Sequence, residues 1–141
     1  MDQMSQMNLF DGPSLNIILK LKMAMRMSLK QSNLSRDQIA ERMTETMRAE
    51  GLKCPGNSAG VSKAILDKWV SESSAHVISV GLLPAFCFIT NSWLAIQVLA
   101  ASVGATVISE EDRRLLLWAE AEVQKRHIQK KVRKLAEEIG I

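Results

Sequence analysis

Leu34-Ser35-Arg36-Asp37-Gln38-Ile39-Ala40-Glu41-Arg42-Met43 is one half of the stretch that decides the fold, and Gly60-Val61-Ser62-Lys63-Ala64-Ile65-Leu66-Asp67-Lys68-Trp69 is the other. Ser35 and Gln38 have the S-x-x-Q spacing of a capping box, which fixes a helix start. Ile39, Met43 and Met47 give that helix an apolar seam, and Gly51 is placed to end it after Glu50. Ser62 caps the second helix, which ends near 71–74. Val61, Ile65, Leu66, Trp69 and Val70 fall on one side of its wheel. Lys63, Ala64, Asp67, Lys68 and Ser71 fall on the other. Residues 51–60, rich in Gly, Pro, Ser and Asn, read as a loop between the two.

The flanking sequence is helical by the same rules. Residues 1–13 have no sustained period and read as a flexible tail. Ser14 caps a helix from Leu15 to about Gln31. In it Lys22, Arg26 and Lys30 share a face, the pattern of a solvated basic stripe on a core helix; the alternatives are phosphate contact and an amphipathic, Met-rich helix for a membrane or a partner. Residues 81–89 form a short apolar helix with Pro84 in its first turn. Asn91 or Ser92 caps another over 93–103, closed by Gly104. Residues 105–108 are a link or a short extended segment, the one plausible β stretch of the chain.

Ser109 and the acids Glu110, Glu111 and Asp112 open a last helix that runs to about Glu138. Trp118, Ala121, Lys125, Ile128, Val132, Leu135 and Ile139 alternate three and four apart along it. This is an a/d seam of about three heptads, broken at Lys125. The reading is an oligomerisation helix, 109–139, joined to a domain over 14–104. The alternative is a long amphipathic helix packed back on the bundle.

Composition narrows the function classes. The chain has 141 residues, 47% hydrophobic, enough for one packed domain and an appended helix. Its net charge is only +3, so any nucleic-acid binding must rest on local clustering. Residues 73–109 hold no Asp, Glu, Lys or Arg. Pro84 and Thr90-Asn91-Ser92 interrupt that apolar stretch, so it reads as a buried helical hairpin and not as a membrane span. No secretion signal is evident, and the expected compartment is the cytoplasm. Cys54 and Cys87 make neither a disulfide framework nor a zinc site. Cys87 and the tryptophans Trp69 and Trp93 fit core positions. His76 and His127 have no partners at ligand or triad spacing. An enzyme, a metal or a cofactor is therefore not expected.

Ser35 to Ala40 followed by Gly60 to Trp69 resembles the core of the phage-repressor-type helix-turn-helix domains. The order of five helices over 15–104 resembles that all-α fold, across about two-thirds of the chain. The whole arrangement is similar to small DNA-binding proteins of Mu-like prophages. The resemblance implies double-stranded DNA as partner, with contacts from Arg36, Gln38, Ser62, Lys63, Ala64, Asp67, Lys68 and Ser71. Arg36 falls where the family often braces a phosphate, and Ala40 is the small residue that lets the two helices approach. Ser62, Lys63 and Ala64 open the implied recognition helix, where base edges are touched. Lys63 suits guanine and Ala64 a thymine methyl. Asp67 suits cytosine N4, or else pairs with Lys63.

One departure is plain. The family has a turn glycine four residues after Ala40, whereas this chain has Thr44 there and reaches Gly-Val-Ser only at Gly60. The expected protein is thus an all-α, five-helix helix-turn-helix bundle with a long C-terminal amphipathic helix. It acts as a dimeric, sequence-specific regulator on half-sites about 34 Å apart. The competing expectations are a DNA-packaging or transposition accessory and a protein-interaction module that binds no DNA.

Overall fold

The computed structural model describes residues 16–53 and 59–141. These residues form six helices and no strand: α1 (Ile18–Gln31), α2 (Arg36–Glu50), α3 (Lys63–Val70), α4 (Leu83–Thr90), α5 (Leu94–Ser102) and α6 (Glu110–Glu138). None of them is long and apolar enough to cross a membrane. The chain divides into two compact units between Thr106 and Val107. The proposed tail over 1–13 and the cap Ser14 lie outside the described residues.

In the first unit α1 lies against α5, α3 and α4, while α2 lies against α4 and α3. Leu21, Ala24, Met25 and Leu29 line the inner face of α1, at the i, i+3, i+4, i+8 spacing of a core stripe. Ile39, Met43 and Met47 of α2 are sealed from water, as their seam predicted. Phe86 and Leu66 complete the centre and are also fully buried. Ser28 sits among them without cost. Its hydroxyl bonds the Ala24 carbonyl at 3.0 Å and the Ser92 hydroxyl at 2.8 Å.

Helix ends follow local chemistry. The Ser35–Gln38 capping box is present in both directions, and Ser62 and Ser109 accept from the N3 amides of Ile65 and Asp112. Gly51 closes α2 at φ 66°, and Gly104 follows α5 at φ 77°. At both, the next residue's N–H reaches back to the carbonyl of Met47 or Ala100, the mark of a Schellman close.

Four expectations are corrected. First, α1 begins at Ile18, later than Leu15, and its N-cap Ile17 offers no side-chain cap. Second, Asn91 caps no following helix. It ends α4 in the left-handed region at φ 51°, a conformation Asn tolerates through its short polar side chain. Third, Trp93 is not a core residue: it is the N-cap of α5 and 43% exposed. Fourth, of the two readings of residues 105–108 the extended β stretch gives way to the link, with no strand pairing. Cys87 is buried as expected, and burial pushes its thiol pKa up, away from reactivity.

The second unit is α6 alone. Its 29 residues carry three acids in the first turn, where the helix dipole favours them, and Arg113 lies 3.6 Å from Glu110. No residue of α6 is buried.

Candidate nucleic-acid interface

Helix α3 has only eight residues, too short to persist without tertiary contacts. Three sets of contacts hold it. The first is apolar: Val61, Leu66, Trp69 and Val70 are at most 5% exposed and fix its inner face on the core. The opposite face is free, with Ser62, Lys63, Ala64 and Lys68 exposed.

The second set ties its N-terminus to α2. Thr44 Oγ1 accepts from the Val61 N–H at 2.9 Å and lies within donating distance of the Ala40 and Val61 carbonyls, at 2.9 and 3.1 Å. Gly60 packs directly on Thr44, and a Cβ there would overlap the threonine side chain. Only glycine permits so close an approach. Thr44, on α2, and Gly60, sixteen residues later in the chain, are therefore in direct contact. Thr44, four residues after Ala40 on α2, is thus the residue that receives Gly60 and Val61. One turn further along, Arg36 Nη1 donates to Asp67 Oδ1 at 2.5 Å, joining the first turn of α2 to the middle of α3. Asp67 thus pairs with Arg36 and not with Lys63, one turn back on its own helix.

The third set corrects the expected solvated stripe on α1. Lys22 is 3% exposed, and its ammonium donates to the carbonyls of Lys68, at 3.0 Å, and His76, at 2.6 Å. Arg26 donates to the Val70 carbonyl at 2.8 Å and lies 3.6 Å from Glu72. Only Lys30 of the three is exposed. Two cations at the carbonyl end of α3 satisfy groups that the helix itself leaves unpaired and complement its dipole. Burial lowers the Lys22 pKa.

The expected contact residues are thus only partly assembled. Lys63, Ala64, Ser62 and Lys68 share one exposed face. Gln38 is exposed, but its Oε1 accepts from the Ser35 N–H in the capping box. Ser71 follows α3 as its C-cap and bonds the Ser73 hydroxyl at 2.9 Å. Arg36 is held by Asp67.

Sequence reading missed Thr44, Lys22 and Arg26 as the groups that fix α3, and it missed Arg48. Arg48 joins Thr44, Gly60, Ser62 and Ile65 around a shallow depression at the N-terminus of α3. Asp37, Glu41 and Glu45 recur every four residues along α2, all exposed, so on α2, α3 and Lys53 the positive charge comes from Arg36, which pairs with Asp67, and from Arg42, Arg48, Lys53, Lys63 and Lys68.

His76 and His127 are exposed, in a loop and in α6. Among the described residues, no three His, Cys, Asp or Glu side chains group closely enough to hold a metal ion. Cys54 lies outside the described residues. No protein-family model, curated protein or solved structure matches the chain.

Proposed function

We propose that the five-helix bundle is a helix-turn-helix domain that binds double-stranded DNA, with α3 as its recognition helix, and that the protein is a dimeric, phage-repressor-like regulator. The observation that carries the reading is the way α3 is held. A short capped helix is pinned at its N-terminus by Thr44, at its middle by Arg36 and at its C-terminus by Lys22 and Arg26, while Ser62, Lys63, Ala64 and Lys68 face outward. A recognition helix needs this combination: fixed orientation, with polar and small residues free at the end that meets base edges. The sequence distance between Thr44 and Gly60 does not count against it, because the two residues are in contact at the N-terminus of α3. The family's phosphate role for Arg36 requires it to leave Asp67 or to share its guanidinium between carboxylate and phosphate.

The test is titration of the full chain against random and selected duplex DNA at two salt concentrations, with mass from light scattering. The expected result is steeply salt-dependent binding by a dimer. Lys63→Ala is expected to lose about 1–3 kcal/mol on a selected site and to relax base preference there. Equal loss on every sequence would remove base reading from Lys63. Binding by a large ring would favour a packaging role instead, and no binding at low salt would overturn the proposal.

A further inference from the structure

The 29 residues of α6 include Trp118, Val123, Ile128, Val132 and Leu135, each more than half exposed. Its charges are segregated. Residues 110–122 carry five carboxylates and two arginines, net −3. Residues 125–134 carry six cations, Lys125, Arg126, Lys130, Lys131, Arg133 and Lys134, and no acid. Two copies lying parallel would set Lys125 against Lys125 and Arg114 against Arg114 inside the seam, and the six-cation stretch alongside itself. Like charges so placed oppose pairing.

We propose that α6 is the binding surface for a second copy of this chain, and that the two helices run antiparallel. The register follows from the seam. With Trp118 at an a position, layers of an antiparallel pair set a against d. Trp118 is then level with Leu135 of the second copy, Ala121 with Val132, and Lys125 with Ile128. Large opposes medium at the ends, small opposes β-branched further in, and each lysine lays its methylene stem along an isoleucine.

The flanks complete the match. Positions g and c of one helix face g and c of the other, and e and b face e and b. In this register Glu120 falls within two residues of level with Lys131 and Lys134 of the second copy. Glu122 falls as close to Arg133, and Arg113 to Glu138. Each pairing occurs twice by symmetry, and all four are opposite in sign. The proposal rests on the reading of α6 as a self-association helix and is independent of DNA binding.

Two measurements on the full chain test it. A spin label at Glu111→Cys, in a Cys54→Ser background that leaves only the buried Cys87, reads the separation of the two α6 N-termini. At a rise of 1.5 Å per residue the antiparallel pair sets them about 45 Å apart, whereas a parallel pair brings them within about 20 Å.

The second measurement is dimer dissociation by dilution. Reversing Lys131, Arg133 and Lys134 to Glu is expected to weaken the dimer about tenfold or more, and adding Glu120→Lys with Glu122→Lys is expected to restore it. A dimer with the short label distance, or without rescue, would overturn the antiparallel arrangement and leave dimerisation standing. A monomer at all concentrations, or a ring of many copies, would overturn both.

Discussion

In the bundle, Ile39, Met43, Met47, Leu66 and Phe86 are closed off from water, whereas in α6 Trp118, Ile128, Val132 and Leu135 are all more than half exposed. Both regions are helical and both carry an apolar stripe at helical spacing. The bundle has elements on every side to receive its stripes, and among the described residues no buried side-chain polar atom lacks a hydrogen-bond partner. Helix α6 has none of this. Its existence as a helix rests on its caps, on strong helix formers and on whatever surface later covers its seam. An amphipathic pattern therefore says that a face will be covered, but not by which chain.

The sharpest way to break this contrast is to truncate one apolar residue on each side of it. Phe86→Ala opens a cavity in the closed core and is expected to lower unfolding stability by about 3–5 kcal/mol in urea titration. Leu135→Ala removes a comparable group from α6, and its effect is expected on dimer dissociation, with unfolding of the bundle unchanged below the dimer concentration range. If Leu135→Ala destabilised the bundle of a monomer, α6 would be part of the bundle's own core.

A smaller effect sharpens the same comparison inside the bundle. Thr44→Val keeps shape but removes the acceptor for the Val61 N–H, and a loss of about 1–3 kcal/mol is expected. Faster amide exchange over 61–70 with little change in α1 is expected to accompany it, since Thr44 anchors the start of α3. Smallest of all is the Arg36–Asp67 pair. Both side chains are more than a third exposed, so a double-mutant cycle is expected to give at most about 1 kcal/mol. A coupling of several kcal/mol would make this pair a principal clamp on α3.

Much of the architecture was legible because it is written locally. Ser35 with Gln38, Ser62, Ser109, Gly51 and Gly104 mark helix ends through contacts no more than a few residues long. The seams of α2 and α3 follow from period alone. The site was less legible because its supports span the chain. Lys22 bonds Lys68, Arg26 bonds Val70, and Thr44 bonds Val61, at separations of 46, 44 and 17 residues.

A basic stripe at every fourth residue has the same pattern whether it meets water or the carbonyl end of another helix. Trp93 was misplaced for a related reason. Hydrophobicity suggested burial, but its position at the entry of α5 turns it outward. Pairing with Lys63, one of the alternatives for Asp67, rested on a neighbour on the same helix, and the partner in the structure is Arg36 from another helix.

The pairing of α1 with α5 also sets an order of events in assembly. The inner face of α1 is fully covered only once α5, which ends at Ser102, packs on it beside α3 and α4. Helical bundles of this kind close in microseconds to milliseconds once their parts are present. Closure of the bundle is fast and needs one chain, whereas self-association through α6 needs a second copy and is slower and concentration-dependent, so it joins molecules whose bundles are already folded.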